Sequence, residues 1–300
     1  MKSIPDTPQA GVALMAGAML FAPFMDMFAK LLTETMSPGA IGLWRFLAQS
    51  LILLPFVLAL GQWRRPSWLH LLAGIFLGAA LLSINAALKH MPIPNAIAIF
   101  FVEPLILTLM SAAILGERLG WRRLSAVTAG LVGAMIVIRP NWAAFGPAAT
   151  YPLITAVCFA SFLLITRVMT QRGRRVALQF WIGVSAMGSL ALVTLVGDHF
   201  GAPALLLSWP GQWELMLLAC MGVLAAISHQ MIANAFARAE AGALAPLQYL
   251  EIISAVLIGW FVFGDFPDRL TWAGTAIIIG AGIYVFYRER QLARRVTKTG

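Results

Sequence analysis

Two carboxylates stand at the head of long oily runs. Glu103 opens EPLILTLMSAAILGE and Glu251 opens EIISAVLIGWFVFGD; each run ends fourteen positions on, in glycine plus an acid, at Glu117 and Asp265. A charge at mid-bilayer costs at least about 2.5–3.5 kcal/mol, so such a residue defaults to a functional candidate that faces the interior of a bundle. Three kinds of chemistry suit it. The carboxylate can hold a cationic or amine group of a substrate, it can carry a coupling proton, or it can stay protonated and hydrogen-bond a neighbouring helix. Pro104 directly follows Glu103, and Pro246 lies five residues before Glu251. Each proline removes a backbone donor and favours a kink, which leaves backbone groups free beside the acid.

Asp26 and Arg45 form a second constellation, an acid and a base each embedded in apolar sequence. An ion pair is the expected arrangement, as a static brace or as a gate near the outer mouth of a transport path. Losing one partner strands the other charge, so a single substitution should do more harm than the double one. Asn85, Asn234, His229, Gln248 and Tyr249 are weaker candidates for binding a substrate or a proton, with Gln49 and Gln230 beside them. Asn85 and Asn234 suit capping or cross-linking of helices. His229 can titrate near neutral pH, although a lone histidine next to Gln230 more often hydrogen-bonds between helices.

These residues must be held by membrane spans. The chain has 300 residues, 60% of them hydrophobic and only 11% charged, against about 25% charged in a soluble domain. Apolar length and loop punctuation predict ten spans, roughly 11–32, 39–60, 68–88, 94–115, 122–139, 147–168, 177–197, 213–235, 241–263 and 270–288. Helices are expected because lipid offers backbone groups no outside partner, and the runs lack the alternation of barrel strands. The first span is read as retained, not as a cleaved signal.

Placing both termini in the cytoplasm puts 16 Lys and Arg residues on inner segments and 4 on outer ends, with Arg45 inside a span. That is the positive-inside bias. It accounts for the net charge of +9 without nucleic acid. On this layout Glu103 and Glu251 lie nine and ten residues into their spans, or about 13–15 Å at 1.5 Å per residue, near the midplane. A shared central cavity follows as an expectation. Asp26 and Arg45 fall at one depth on neighbouring antiparallel spans. Glu117 is expected among Arg118, Arg122 and Arg123, and Asp265 beside Arg269. Several tryptophans mark span ends, whereas Trp181 and Trp260 lie deeper.

The two glutamate runs are offset by 148 residues, and the match extends upstream to NAALK at Asn85 and NAFAR at Asn234. The chain is therefore expected to be two five-span halves, 1–146 and 147–300. An odd number of spans makes the second half enter from the opposite side, giving an inverted repeat of the kind secondary transporters use. The fold class is all-α integral membrane.

The ten spans, the WRF of Trp44–Phe46, the stretch GERLGWRRLSAVTAGLVGAMIVIRP and the stretch ALAPLQYLEIISAVLIGWFVFGDFPD resemble the drug/metabolite transporter superfamily, specifically its EamA-type members. The resemblance implies ten helices in two inverted halves around a central cavity. It also implies alternating-access movement of amino acids or other small metabolites across the inner membrane, often as export. Uptake of a nucleoside-like or vitamin-like metabolite is the alternative within the fold, and a channel is the alternative class. The chain has no HExxH, GxSxG, paired-Asp or Walker A motif, so an enzyme is not expected. Cys158 and Cys220 offer no metal spacing; no cofactor and no metal is expected. The expected partners are a small-molecule substrate, lipid and, if a gradient drives the cycle, protons. Gly74 and Gly78 form a GxxxG, read as packing within the chain, which is compatible with a monomer.

Overall fold

A computed structural model describes residues 8–63, 65–115, 142–170, 175–239, 244–281 and 283–284, with seven single or paired positions between 125 and 136. Nine α-helices have defined bounds. They are α1 (Pro8–Leu32), α2 (Pro38–Ala59), α3 (Trp68–His90), α4 (Ile93–Phe100), α5 (Glu103–Leu115), α6 (Tyr151–Thr170), α7 (Arg175–His199), α8 (Gln212–Phe236) and α9 (Glu251–Phe263). Residues 269–281 are helical as well, and no strand occurs among the described residues. Among the described residues, seven helical segments are long and apolar enough to cross a membrane. Most of the predicted span 122–139, with Glu117, Arg118, Arg122 and Arg123, lies outside the described residues.

Local chemistry sets the ends. Ser37 caps α2: its Oγ accepts from the Ala40 amide at 3.1 Å, while Pro38 fills the first helical position, where no amide is needed. Gly264 ends α9 at φ +72°, a left-handed turn that glycine adopts without cost. The fourth span is one apolar run in sequence and two helices in space. Pro104 cannot donate to the Phe100 carbonyl, and its ring crowds that carbonyl; the chain turns at Phe101 and Val102 and restarts as α5 at Glu103. The ninth span breaks in a similar place. Ala245–Leu250, which contains Pro246, is a 3-10 helix, and α9 begins at Glu251. Pro23 and Pro55 are carried inside continuous helices.

Helices α1, α2 and α3 pack on α6, α7 and α8 in a reciprocal pattern. α1 lies on α8, and α3 lies on α6. α2 crosses both α7 and α8, and α7 crosses both α2 and α3. Exchanging α1 for α6, α2 for α7 and α3 for α8 turns this set of contacts into itself. Close approach needs small residues. A Cβ at Gly74 would meet the Ala186 amide nitrogen at 2.7 Å and the Ile182 carbonyl at 2.8 Å, so this glycine seats α3 on α7 within the chain. Large apolar side chains such as Phe56, Leu195 and Phe261 point outward, as lipid-facing positions do, and Trp209 is 80% exposed at a span end, as an aromatic belt requires.

Candidate functional site

A cavity opens among α1, α2, α3, α6, α8 and the start of α9; the space inside it, with the open solvent at its mouth included, is about 950 Å³. Its wall is mostly apolar, with Met15, Met19, Met25 and Met221 prominent. Polar side chains come from several elements. α1 supplies Asp26, α2 Arg45, α3 Asn85, α6 Thr155, α8 Ser228 and His229, and the ninth span Gln248 and Glu251. Phe100 from α4 and Phe159 from α6 add an aromatic edge, with ring centroids 5.7 Å apart.

The break in the ninth span positions Glu251. It is the first residue of α9, directly after the 3-10 helix Ala245–Leu250. Glu103 occupies the equivalent place at the head of α5, but it does not line the cavity. It is fully buried, with no hydrogen-bond partner at Oε1 or Oε2.

Asp26 and Arg45 both reach the cavity, yet no ion pair of 4 Å or less joins them; among the described residues the pair recorded at that range is Lys30 with Asp265. Equal depth on adjacent helices left the side-chain directions open. Arg45 is 3% exposed. Its Nη2 faces the Met25 Sδ at 3.9 Å, its guanidinium carbon lies 4.8 Å from the Phe46 ring centroid, and Nε and Nη1 have no acceptor.

The weaker candidates divide. Asn85 is fully buried on the cavity wall; its Nδ2 donates to the Pro38 carbonyl at 3.3 Å, and its Oδ1 is unpartnered. His229 Nδ1 lies 3.4 Å from Gln49 Nε2, bridging α8 and α2. Gln248 lines the cavity, whereas the Tyr249 side chain lies outside the described residues. Asn234 is away from the cavity: its Oδ1 accepts from Arg175 at 2.9 Å and Arg238 at 3.0 Å, tying α7 to the end of α8.

Asp265 bonds Lys30 at 2.7 Å, not Arg269 as expected, and the Lys30 ammonium also sits 4.6 Å from the Phe263 ring centroid. This contact spans 235 residues of sequence, which local charge spacing cannot reveal. Trp260 is half exposed and stacks on Phe261 outside the cavity, and Trp181 packs on Trp63 and Phe180. Thr155, Ser228 and the methionines were missed as lining residues. Only the breaks in the spans and the reciprocal packing bring them to one place.

A family model described as the EamA-like transporter family matches residues 9–139. A riboflavin transporter of Rhizobium johnstonii is 30% identical over 258 residues, 84% of this chain and 82% of its own. The chain belongs to the EamA-like transporter family. Another similar member is an S-adenosylmethionine uptake transporter of Rickettsia prowazekii, 28% identical over 89% of this chain and 88% of its own. A third is a pseudopaline exporter of Pseudomonas aeruginosa, 26% identical over 71% of this chain and 72% of its own. A solved chain shares the fold, with a TM-score of 0.66 at 21% identity, covering 95% of this chain and 99% of that one. As a family member with many apolar helices, this protein is a multi-pass membrane transporter of small metabolites.

Proposed function

We propose that this protein is a secondary carrier that takes up a small cation-bearing metabolite across the inner membrane, with S-adenosylmethionine the first candidate. The observation that carries the reading is a mostly apolar cavity whose lining brings together Asp26, Arg45 and Glu251. With both acids ionised, these three groups sum to one negative charge, which complements the single net positive charge of S-adenosylmethionine. Phe100 and Phe159 supply faces for a sulfonium by cation–π attraction or for a purine by stacking. A methionine-rich wall adapts to an irregular solute.

The cycle is alternating access by two inverted halves, 1–146 and 147–300, with both termini cytoplasmic. The reciprocal packing of the helices and the matched breaks ahead of Glu103 and Glu251 support the inverted arrangement. Half-helix N-termini at a midplane site are a recurring device of secondary transporters. Uptake is supported by the role of the Rickettsia relative, and export by that of the Pseudomonas one.

Counterflow in proteoliposomes tests the reading. Vesicles loaded with unlabelled S-adenosylmethionine are expected to accumulate the labelled compound transiently and saturably, while riboflavin and free amino acids compete weakly. Exchange of riboflavin with none of S-adenosylmethionine would overturn the cationic assignment.

A further inference from the structure

We infer that Arg45 is the subsite for a carboxylate on the transported solute, so that the cavity reads a zwitterionic head group and not a cation alone. The inference rests on the uptake reading above and narrows its substrate class.

Among the described residues, Arg45 is a buried cation with no acid within 4 Å of its guanidinium nitrogens. The side chain is 3% exposed and borders the cavity, yet two of its three guanidinium nitrogens have no acceptor. The third meets only a thioether sulfur at 3.9 Å, and sulfur is a weak acceptor. The Phe46 ring covers one flank. A buried charge stripped of water is strongly unfavourable unless paired and hydrogen-bonded. Asp26 shares the cavity but stays beyond 4 Å, and Glu251 is on the ninth span. Arg45 therefore presents unused, always-charged donors to the space a solute would fill. A planar carboxylate is the group that a guanidinium recognises best, through two parallel bonds.

The acids then have a separate task. Asp26 and Glu251 would face the ammonium or sulfonium of the same solute. A site with both poles excludes a neutral vitamin and penalises an amine that lacks the acid group.

The test varies the solute first, so that it does not depend on a variant folding. Reconstituted wild-type protein is assayed for counterflow of S-adenosylmethionine, its decarboxylated analogue and its carboxyl methyl ester. A site built to bond a group rejects analogues lacking it by orders of magnitude, so kcat/KM is expected to fall by about 100-fold for both analogues. Arg45→Gln should shrink that ratio to within about threefold, chiefly by losing the carboxylated solute; Arg45→Lys should keep part of it. If wild type carries all three solutes alike, or Arg45→Gln slows all three equally with the ratio intact, Arg45 is a structural charge and the inference falls while the uptake reading stands. If wild type exchanges none of them, the uptake reading itself fails and takes the inference with it.

Discussion

Glu103 and Glu251 begin equivalent half-helices, yet only Glu251 borders the cavity. Their substitutions should therefore part company. Glu251→Gln is expected to lower S-adenosylmethionine counterflow at least about tenfold, the scale of one lost charged contact, with the melting temperature in detergent held. Glu103 has two buried oxygens with no partner. Replacing such a group by an apolar one of similar shape is neutral or stabilising, so Glu103→Leu should not lower the melting temperature. A clear drop would mean that the Glu103 carboxyl bonds something in the folded protein. The candidate acids were legible because charge in an apolar run is expensive. Their unequal roles were not, since sequence depth fixes height in the membrane and leaves side-chain direction free. The same limit explains Asp26 and Arg45, which share a cavity without touching.

At the scale of elements, prolines announced the two breaks. Pro104 forces the turn at Phe101 and Val102, and Pro246 lies in the 3-10 segment Ala245–Leu250. Spacing alone could not show that α5 and α9 start at their glutamates, because an apolar run reads alike as one helix or two. The GxxxG of α3 behaves as its small residues suggest, seating that helix on α7. A methyl group at Gly74 would collide with the α7 backbone, whereas one at Gly188, also on α7, meets nothing within 4 Å. Gly74→Ala should cost about 1–3 kcal/mol through overpacking, and Gly188→Ala should be neutral or slightly stabilising. Thermal unfolding of the two variants in one detergent compares them directly; equal melting temperatures would contradict the packing account.

Across the whole molecule, charge bias and an internal repeat indicated the layout before any contact was known. Among the described residues, α1, α2 and α3 pack on α6, α7 and α8. The Lys30–Asp265 pair, 19% and 29% exposed, links the end of α1 to the loop after α9. Its long sequence separation hid it, and its partial exposure limits its worth to about 1 kcal/mol or less in a double-mutant cycle. Orientation has its own test in a background with Cys158 and Cys220 replaced. Trp209→Cys should react with an impermeant maleimide added outside intact cells, and Trp63→Cys only after the membrane is opened. The reverse labelling would invert the assigned topology.

The central claim is that the cavity shared by Asp26, Arg45 and Glu251 is a transport site. Labelled S-adenosylmethionine counterflow, compared between wild type and Glu251→Gln in vesicles of matched protein content, tests it most directly. A saturable overshoot in wild type, reduced at least about tenfold in the variant, is the predicted result. An overshoot of the same size and concentration dependence in both proteins would contradict it.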